Sequence, residues 1–519
     1  MSIHRAWHSP RLQSSFLRLG FCGLLILGVL WCLLPGRTFV DWTPKRVEIL
    51  FDSVADALGH PTFKDIRIYE KTLPQYFSPG KGTVRPRYLF FPWASWGSGW
   101  NNVFQEQDSK FMKHRLMNTH LAHLSQRAYV FPDYIPRDHP PFPDTLENGT
   151  RHMLHVPMNA FVSGPTGGGP LSVDGSDSLM RRAVSEEWWN GVCPPSEVVV
   201  VDLHKTMGEL GLDGSSDAAE ILGKWAAKLL AISEPCVSIE GGSVFDYILF
   251  GAKERILPVW PLYGDSPALK YFAWSPLVTA AMFQNFHLLS STSAPKYLVR
   301  SNDIAPYHFT SFPPLRPSEA PISDLLAIHV RRGDYEYHCQ FLADISADYT
   351  AWSALGTPGL SQKFHSRPLS QNSSMSSNPP WPALPDYLDV PAGVQPREAW
   401  LEHCWPSAEA IVARVGEVRD TYRSSPSPNP TLHRIYISTN GERSWIDGLT
   451  AHLKLEGWEV STSLDMQLTQ EQRAVSQAVD MGILTAAEVF IGVGFSSLTS
   501  NVVQIRLAGG RDPRTIRFW

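Results

Sequence analysis

Residues 325–334, reading Leu-Leu-Ala-Ile-His-Val-Arg-Arg-Gly-Asp, restrict the fold more than any other part of the chain. An apolar run of strand length that stops in a histidine, two arginines, a glycine and an acid is the pattern of a buried parallel strand whose carboxyl end opens into a ligand crevice. The two-residue period of a strand puts His329 and Arg331 on one face and Val330 on the other. Arg331 then presents a fixed, permanently charged fork that suits a phosphate or a carboxylate. The plain alternative is a strand end with solvated arginines. An adhesive reading of Arg332-Gly333-Asp334 requires an exposed loop tip, which the end of a buried strand is not.

The remainder of this half alternates in the same sense. Strands are predicted at 325–331, 433–439, 458–462 and 489–492, and helices at 396–422, 443–455, 470–487 and 496–507. Pro396 is tolerated in a first helical turn. A Ser/Pro-rich insertion, 355–395, interrupts the pattern. Strands separated by helices of this length imply a parallel, doubly wound sheet.

An earlier segment repeats the theme. A strand at 87–91 leads into a small-residue loop, 92–102, which includes Gly99, Trp100, Asn101 and Asn102. Phe104, Phe111, Leu116, Leu121 and Leu124 then recur at roughly helical spacing, and a strand follows at 128–131. Strand, glycine loop, helix and strand open a Rossmann-like half, with the loop at a helix amino terminus where free N–H groups favour an anion. The proline- and glycine-rich stretch 133–190, with Gly164-Pro165-Thr166-Gly167-Gly168-Gly169-Pro170, is expected to be long surface loops. A strand over 197–202 and a helix over 216–232 follow, and Pro313, Pro314, Pro317 and Pro321 mark a boundary.

At 519 residues the chain exceeds what one hydrophobic core supports. The expected fold class is α/β, with two Rossmann-like domains facing across a cleft behind an amino-terminal transmembrane helix. The expected organisation is a cytosolic tail (1–18), a transmembrane signal anchor (19–36), a stem (37–84), an amino-terminal domain (85–315) and a carboxyl-terminal domain (316–519).

Leu19 to Gly36 is an uncharged, mostly apolar stretch of just sufficient length to span a bilayer. Arg5, Arg11 and Arg18 precede it, so its amino-terminal side is expected to stay cytosolic. No small-residue cleavage site ends it, which favours an anchor over a removed signal peptide. Everything beyond is then luminal, in the endoplasmic reticulum or Golgi. Four of the six cysteines, Cys193, Cys236, Cys339 and Cys404, fall in that oxidising space. Pairing of sequence neighbours, Cys193–Cys236 and Cys339–Cys404, is the expectation, and the second pair would staple the base of the insertion. Asn148 and Asn372 begin glycosylation sequons. A net charge of -5 gives no sign of a nucleic-acid partner.

Three predicted strand ends in the second half finish in polar residues: His329 with Arg331, Thr439-Asn440-Gly441, and Gly492-Val493-Gly494 running into Phe495-Ser496-Ser497-Leu498. Ser496 and Ser497 suit a helix cap equally with a diphosphate cradle opposite Arg331. Asp480, on the helix before the last of these strands, suits either a solvated surface or the N–H donors of a guanine. No Asp-x-Asp triplet, phosphate-binding Gly-x-x-x-x-Gly-Lys loop, zinc-helix motif or Gly-x-Ser-x-Gly elbow occurs. A nucleotide diphosphate leaving group would therefore be met by arginine and helix dipoles.

His329-Val330-Arg331-Arg332-Gly333-Asp334 resembles the His-x-Arg motif of GDP-fucose-dependent fucosyltransferases, in particular the protein O-fucosyltransferases and their fungal relatives. Gly99-Trp100-Asn101-Asn102 is similar to that group's Gly-x-Asn motif. Asp480 and the run Phe490-Ile491-Gly492 through Ser496-Ser497-Leu498 resemble its third motif. The matches occur in the family's order and span about residues 87–508. The resemblance implies a GT-B-type fold, GDP-fucose as donor, a protein or glycan hydroxyl as acceptor, inversion at the anomeric carbon and no obligatory metal or other cofactor. It implies that Arg331 grips the diphosphate, that His329 and Asp480 contact ribose and guanine, that Ser496 and Ser497 meet the phosphates, and that Asn101 contacts the donor near the reaction centre. The sequence departs from the family at Ser98, where some members carry a glutamate base, at Leu498 in place of phenylalanine and at Asn440 in place of aspartate. The general base therefore stays open between Asn101 acting with Arg331, an acid supplied by the acceptor, and a loop acid such as Glu106. Use of another nucleotide sugar, or a catalytically inactive lectin or scaffold, are the alternatives. The insertion after Arg331 is the expected acceptor-facing element.

Overall fold

The computed structural model describes residues 61–77, 85–92, 100–101, 115–136, 155–172, 174–175, 177–298, 312–333, 335–345, 347–355, 396–423 and 431–519. All of them belong to one compact unit that starts at Leu58. The anchor segment 19–36, Gly99, Asn102, Glu106, Asn148, Asn372 and nearly all of the insertion lie outside the described residues. Among the described residues no helix is long and apolar enough to cross a membrane.

Two five-stranded sheets, both wholly parallel, form the frame. The first contains β1 (Tyr88–Phe90), β2 (Ala128–Phe131), β3 (Val184–Ser185), β4 (Val198–Asp202) and β5 (Cys236–Glu240), in the order β3-β2-β1-β5-β4. The second contains β6 (Ile322–Val330), β7 (Arg434–Thr439), β8 (Glu459–Thr462), β9 (Ala487–Gly492) and β10 (Ile516–Phe518), in the order β10-β9-β6-β7-β8. These two parallel-sheet α/β halves are consistent with a GT-B-type architecture. Central β6 has Leu325 to Ile328 wholly buried, because helices cover both faces of a parallel sheet.

The helices used below are α1 (Arg115–Leu124), α2 (Ala218–Ala231), α3 (Pro276–Gln284), α4 (Tyr335–Asp344), α5 (Pro396–Cys404), α6 (Ala408–Arg423), α7 (Arg443–Leu455), α8 (Gln470–Ala474), α9 (Ser476–Ala486) and α10 (Ser497–Ala508). Helix α1 lays Leu116, Met117, Leu121 and Ala122 into the first core. Helix α2 starts where the Asp217 side chain accepts from the Glu220 N–H at 2.8 Å, a stabilising amino-terminal cap. The helix expected over 396–422 is two helices, α5 and α6, because Pro406 cannot donate the N–H that continuity requires. The one expected over 470–487 is also two, α8 and α9, turning at buried Val475.

The described part of 133–190 is not a surface loop. Met158 to Val162 are essentially buried, and the glycines that follow are packing positions. A Cβ on Gly164 would stand 2.8 Å from the Ala273 amide, and one on Gly169 would stand 2.1 Å from the Ser163 carbonyl. Composition read as flexibility is here close backbone approach. From Trp274 onward the chain packs on the second half. The Trp274 indole donates to Thr485 Oγ1 at 3.1 Å, and the Asn285 amide donates to the Gln467 carbonyl at 2.8 Å.

The cysteines pair as Cys193–Cys236 and Cys339–Cys404. The first ties the residue after helix Glu186–Val192 to the start of β5, and the second joins α4 to α5 across the insertion. With sequence separations of 43 and 65, loop closure in the unfolded chain gives each bridge about 4 kcal/mol in the chain-entropy account.

Candidate functional site

Strand order locates the site. Along the chain the second sheet runs outward one way from β6 through β7 to β8, then the other way through β9 to β10. The carboxyl ends of β6 and β9 therefore flank the point where the order reverses, where loops splay apart and ligands bind in doubly wound sheets. Arg331 follows β6, and Ser496, the residue before α10, follows β9 within four residues. In the first sheet β1 is the central strand, between β2 and β5, and the chain leaving β1 leads to Trp100 and Asn101.

The adjacent arginines have opposite fates. Arg332 is buried, with its guanidinium stacked between Trp405 at 4.4 Å and Trp445 at 4.1 Å and donating to the Pro406 carbonyl. Its backbone N–H donates to Asn440 Oδ1 at 2.8 Å, while Asn440 Nδ2 donates back to its carbonyl at 2.9 Å. Asn440 is thus a clamp on the backbone turn that releases β6, and Gly333 completes that turn at φ +70°. The adhesive reading fails, since Arg332 is only 6 % exposed. Arg331 is half-buried, its guanidinium 5.4 Å from the centre of the Tyr335 ring. The Tyr335 hydroxyl donates to the Phe495 carbonyl at 2.7 Å, which ties the Arg331 neighbourhood to the residue before Ser496.

His329 is buried, one residue before the end of β6. Its Nδ1 lies 3.0 Å from Thr499 Oγ1, and its carbonyl accepts from the Trp519 indole at 3.0 Å. Burial, with the Arg331 charge adding to it, pushes the imidazole down to about 3, so it is neutral at physiological pH. A neutral imidazole here offers hydrogen bonding and shape, not charge.

Asp480 is not a solvated surface acid. On α9, it accepts from the Tyr436 hydroxyl at 2.5 Å and from Ser438 Oγ at 2.9 Å, both on β7. Some solvent contact remains, but protein surrounds the carboxyl, and burial pushes it up to about 6 against the opposing pull of those two hydrogen bonds. Ionised, it keeps acceptor capacity beyond the two hydroxyls.

Ser496 and Ser497 are 6 % and 8 % exposed at the start of α10, and the Ser496 side chain makes no capping bond. The capping alternative therefore does not apply to Ser496. Leu498 is partly buried against the core. Gly492 and Gly494 let the loop lie close. A Cβ on Gly492 would meet Thr499 at 2.5 Å, and one on Gly494 would meet the Tyr349 ring at the same distance.

Asn101 belongs to the first half yet is bound by the second. It is 8 % exposed, its Nδ2 donates to Gln477 Oε1 of α9 at 3.0 Å, and its carbonyl accepts from Asn501 Nδ2 of α10 at 3.2 Å. Its Oδ1 is buried and has no hydrogen-bond partner among the described residues. Trp100, stacked on Phe161 at 3.6 Å, anchors the turn from the other side. The sequence-predicted residues His329, Arg331, Ser496 and Ser497 thus meet at one switch point, with Asp480 on the adjoining helix and Asn101 reaching in from the other sheet. Asn440, Asn501 and Gln477 were not assigned these contacts from sequence. Polar residues inside an otherwise apolar helix, as at Asn501, were the available signal. Among the described residues no cluster of three His, Cys, Asp or Glu is placed to hold a metal ion.

The fold and site together define a doubly wound, two-sheet protein with an anion-suited crevice on its second sheet. No family model matches the chain, and no curated protein matches it. Among solved structures it is similar to POFUT1 in complex with GDP-fucose (crystal form I), at 13% identity over 85% of this chain and 99% of that one, with a TM-score of 0.46. It is also similar to POFUT1 in complex with GDP (high-resolution dataset), at 14% identity over 84% and 98%, with a TM-score of 0.47. A likeness of this degree assigns no residue of the site.

Proposed function

We propose that the protein is a GDP-fucose-dependent glycosyltransferase that moves fucose to a hydroxyl of a protein or glycan acceptor with inversion and without a metal. The observation that carries this reading is the convergence of Arg331, Ser496 and Ser497 at the switch point between β6 and β9. The family's motifs, read in the sequence, coincide with it. In this reading Arg331 pairs with the diphosphate and stabilises the charge that grows as it leaves. The hydroxyls and the backbone N–H groups at the start of α10 take the remaining phosphate oxygens. Asp480 accepts from the guanine N–H donors, and His329 shapes the ribose side. Asn101 offers its unpartnered Oδ1 to a hydroxyl near the anomeric carbon. The acceptor oxygen attacks that carbon from the face opposite the diphosphate. Its proton passes to a base of the acceptor or of the first half, and the carbon–oxygen bond to phosphate breaks as the new glycosidic bond forms. We further infer a type II membrane orientation with the catalytic part luminal, supported by the apolar stretch 19–36 and the two disulfides.

Calorimetric titration of the full chain with GDP and GDP-fucose, in the presence of a chelator, tests the reading. Binding that collapses in Arg331→Ala is expected; absence of binding by the unaltered chain would overturn it. Asp480→Ala is expected to weaken GDP and leave UDP unaffected.

A further inference from the structure

We infer that Tyr263, Gln504 and Asn501 form a positioning relay that fixes Asn101 to the start of the second half's crevice, an inference that rests on the transferase reading for its catalytic consequence. Asn501 and Gln504 stand one turn apart on α10 and are 0% and 1% exposed; Tyr263, from the first half, is 1% exposed. The Tyr263 hydroxyl donates to Gln504 Oε1 at 3.1 Å, Gln504 Nε2 donates to Asn501 Oδ1 at 2.8 Å, and Asn501 Nδ2 donates to the Asn101 carbonyl at 3.2 Å.

The direction of this chain is dictated at one end. A backbone carbonyl only accepts, so Asn501 must turn its NH₂ towards Asn101 and its oxygen towards Gln504. Gln504 must then turn its own oxygen towards Tyr263, which alone of the three can donate there without a flip. Two rotatable side-chain amides and one hydroxyl are thereby held in one arrangement, and a fully connected buried network of this kind specifies a single geometry. Tyr263 is set in turn by its stack on Trp352, 5.1 Å away, and the Trp352 N–H donates to Ser500 Oγ on the same helix at 3.0 Å.

The consequence is positional. Asn101 would otherwise ride on the chain leaving β1, in a different sheet from the phosphate-gripping residues. Tied to α10, it moves with Ser496 and Ser497, so its Oδ1 keeps a constant distance from the donor. Such placement raises turnover through orientation and leaves ground-state nucleotide affinity nearly untouched.

The test compares Asn501→Asp, which keeps shape but replaces the donor with an acceptor facing the Asn101 carbonyl, with Tyr263→Phe, which removes a single hydroxyl. Amide hydrogen exchange, GDP calorimetry and GDP-fucose turnover are measured on the full chain. For Asn501→Asp, exchange around residues 100–101 is expected to quicken roughly 10-fold. Its kcat is expected to fall roughly 10-fold while GDP affinity and KM stay within about 2-fold. Tyr263→Phe is expected to move the same readouts in the same direction by less, and it serves alone if the aspartate variant does not fold. Unchanged exchange at 100–101 in a folded variant would overturn the relay. Quickened exchange with unchanged kcat would overturn its catalytic role. If the unaltered chain neither binds GDP nor turns over GDP-fucose, the transferase reading falls, and the exchange comparison decides the relay by itself.

Discussion

The two halves share a wholly parallel five-stranded sheet, yet they use their buried arginines and strand ends differently. In the first half Arg127 and Arg115 hold backbone. Arg127 donates to the carbonyls of Tyr88, Leu229, Ile232 and Glu234, and Arg115 donates to those of Pro132 and Asp133. Burial pushes Arg127 down to about 10 and lowers Arg115. In the second half Arg506 does the same work, but Arg331 stays half-buried at the crevice. One topology thus supplies two pieces: a scaffold that contributes Asn101, and a crevice that contributes the charge. What separates the two kinds of arginine here is burial: Arg115, Arg127 and Arg506 are enclosed, whereas Arg331 keeps solvent contact at a strand end.

The comparison breaks most visibly at Arg506. Its guanidinium is wholly buried and donates to the carbonyls of Leu484, Thr485, Ala487 and Glu488 and to Thr515 Oγ1. Arg506→Met strands those acceptors and is expected to cost at least about 4 kcal/mol in denaturant unfolding. A loss below about 1 kcal/mol would mean the carbonyls find other partners.

Arg331→Ala should do the reverse, leaving the unfolding midpoint close to that of the unaltered chain and weakening GDP by roughly 100-fold, the value of charge-assisted bonds to phosphate. Loss of stability without loss of GDP binding would place Arg331 with the structural arginines.

Asp480 and His329 sharpen the contrast through pH. If ionised Asp480 reads guanine, GDP affinity falls as pH drops through about 6, and Asp480→Asn flattens that profile while weakening binding roughly 10-fold at neutral pH. Stability runs by linkage. The Asp480 pKa is raised in the fold, so its contribution is fully present below about 3.8 and is lost as pH rises through about 6. The His329 pKa is depressed, so its contribution is present above 6.5 and is lost as pH falls through about 3. Unfolding midpoints of His329→Asn and Asp480→Asn across that range separate the two.

The smallest effect is expected at Arg332. Replacing it with Met keeps volume between Trp405 and Trp445 but removes the cation from both ring faces, at a cost of about 1–2 kcal/mol in thermal unfolding. A change in GDP affinity with no change in stability would contradict the structural role.

Much of the second sheet was legible because apolar runs and helical periods recur there with little interruption. Strand β6, helix α7 and the start of α10 lie within a few residues of where the pattern placed them. Strand β3, with two residues, and β10, with three, carry too little period to stand out. Strand β5 is pinned by its neighbours and by Cys236 more than by its own composition. Stretch 155–172 was misread because proline and glycine signal flexibility locally and close approach globally.

By itself the sequence determined the α/β alternation, the two parallel sheets and the concentration of polar residues at the ends of β6 and β9, since each follows from local period and composition. The tertiary structure alone decided that Arg332 is stacked between Trp405 and Trp445, that Asp480 is enclosed by β7, and that Asn101 is held by α9 and α10. Those outcomes depend on partners far away in the chain. Whether a polar atom is satisfied is settled by what the fold brings within about 3 Å of it, not by its neighbours in sequence.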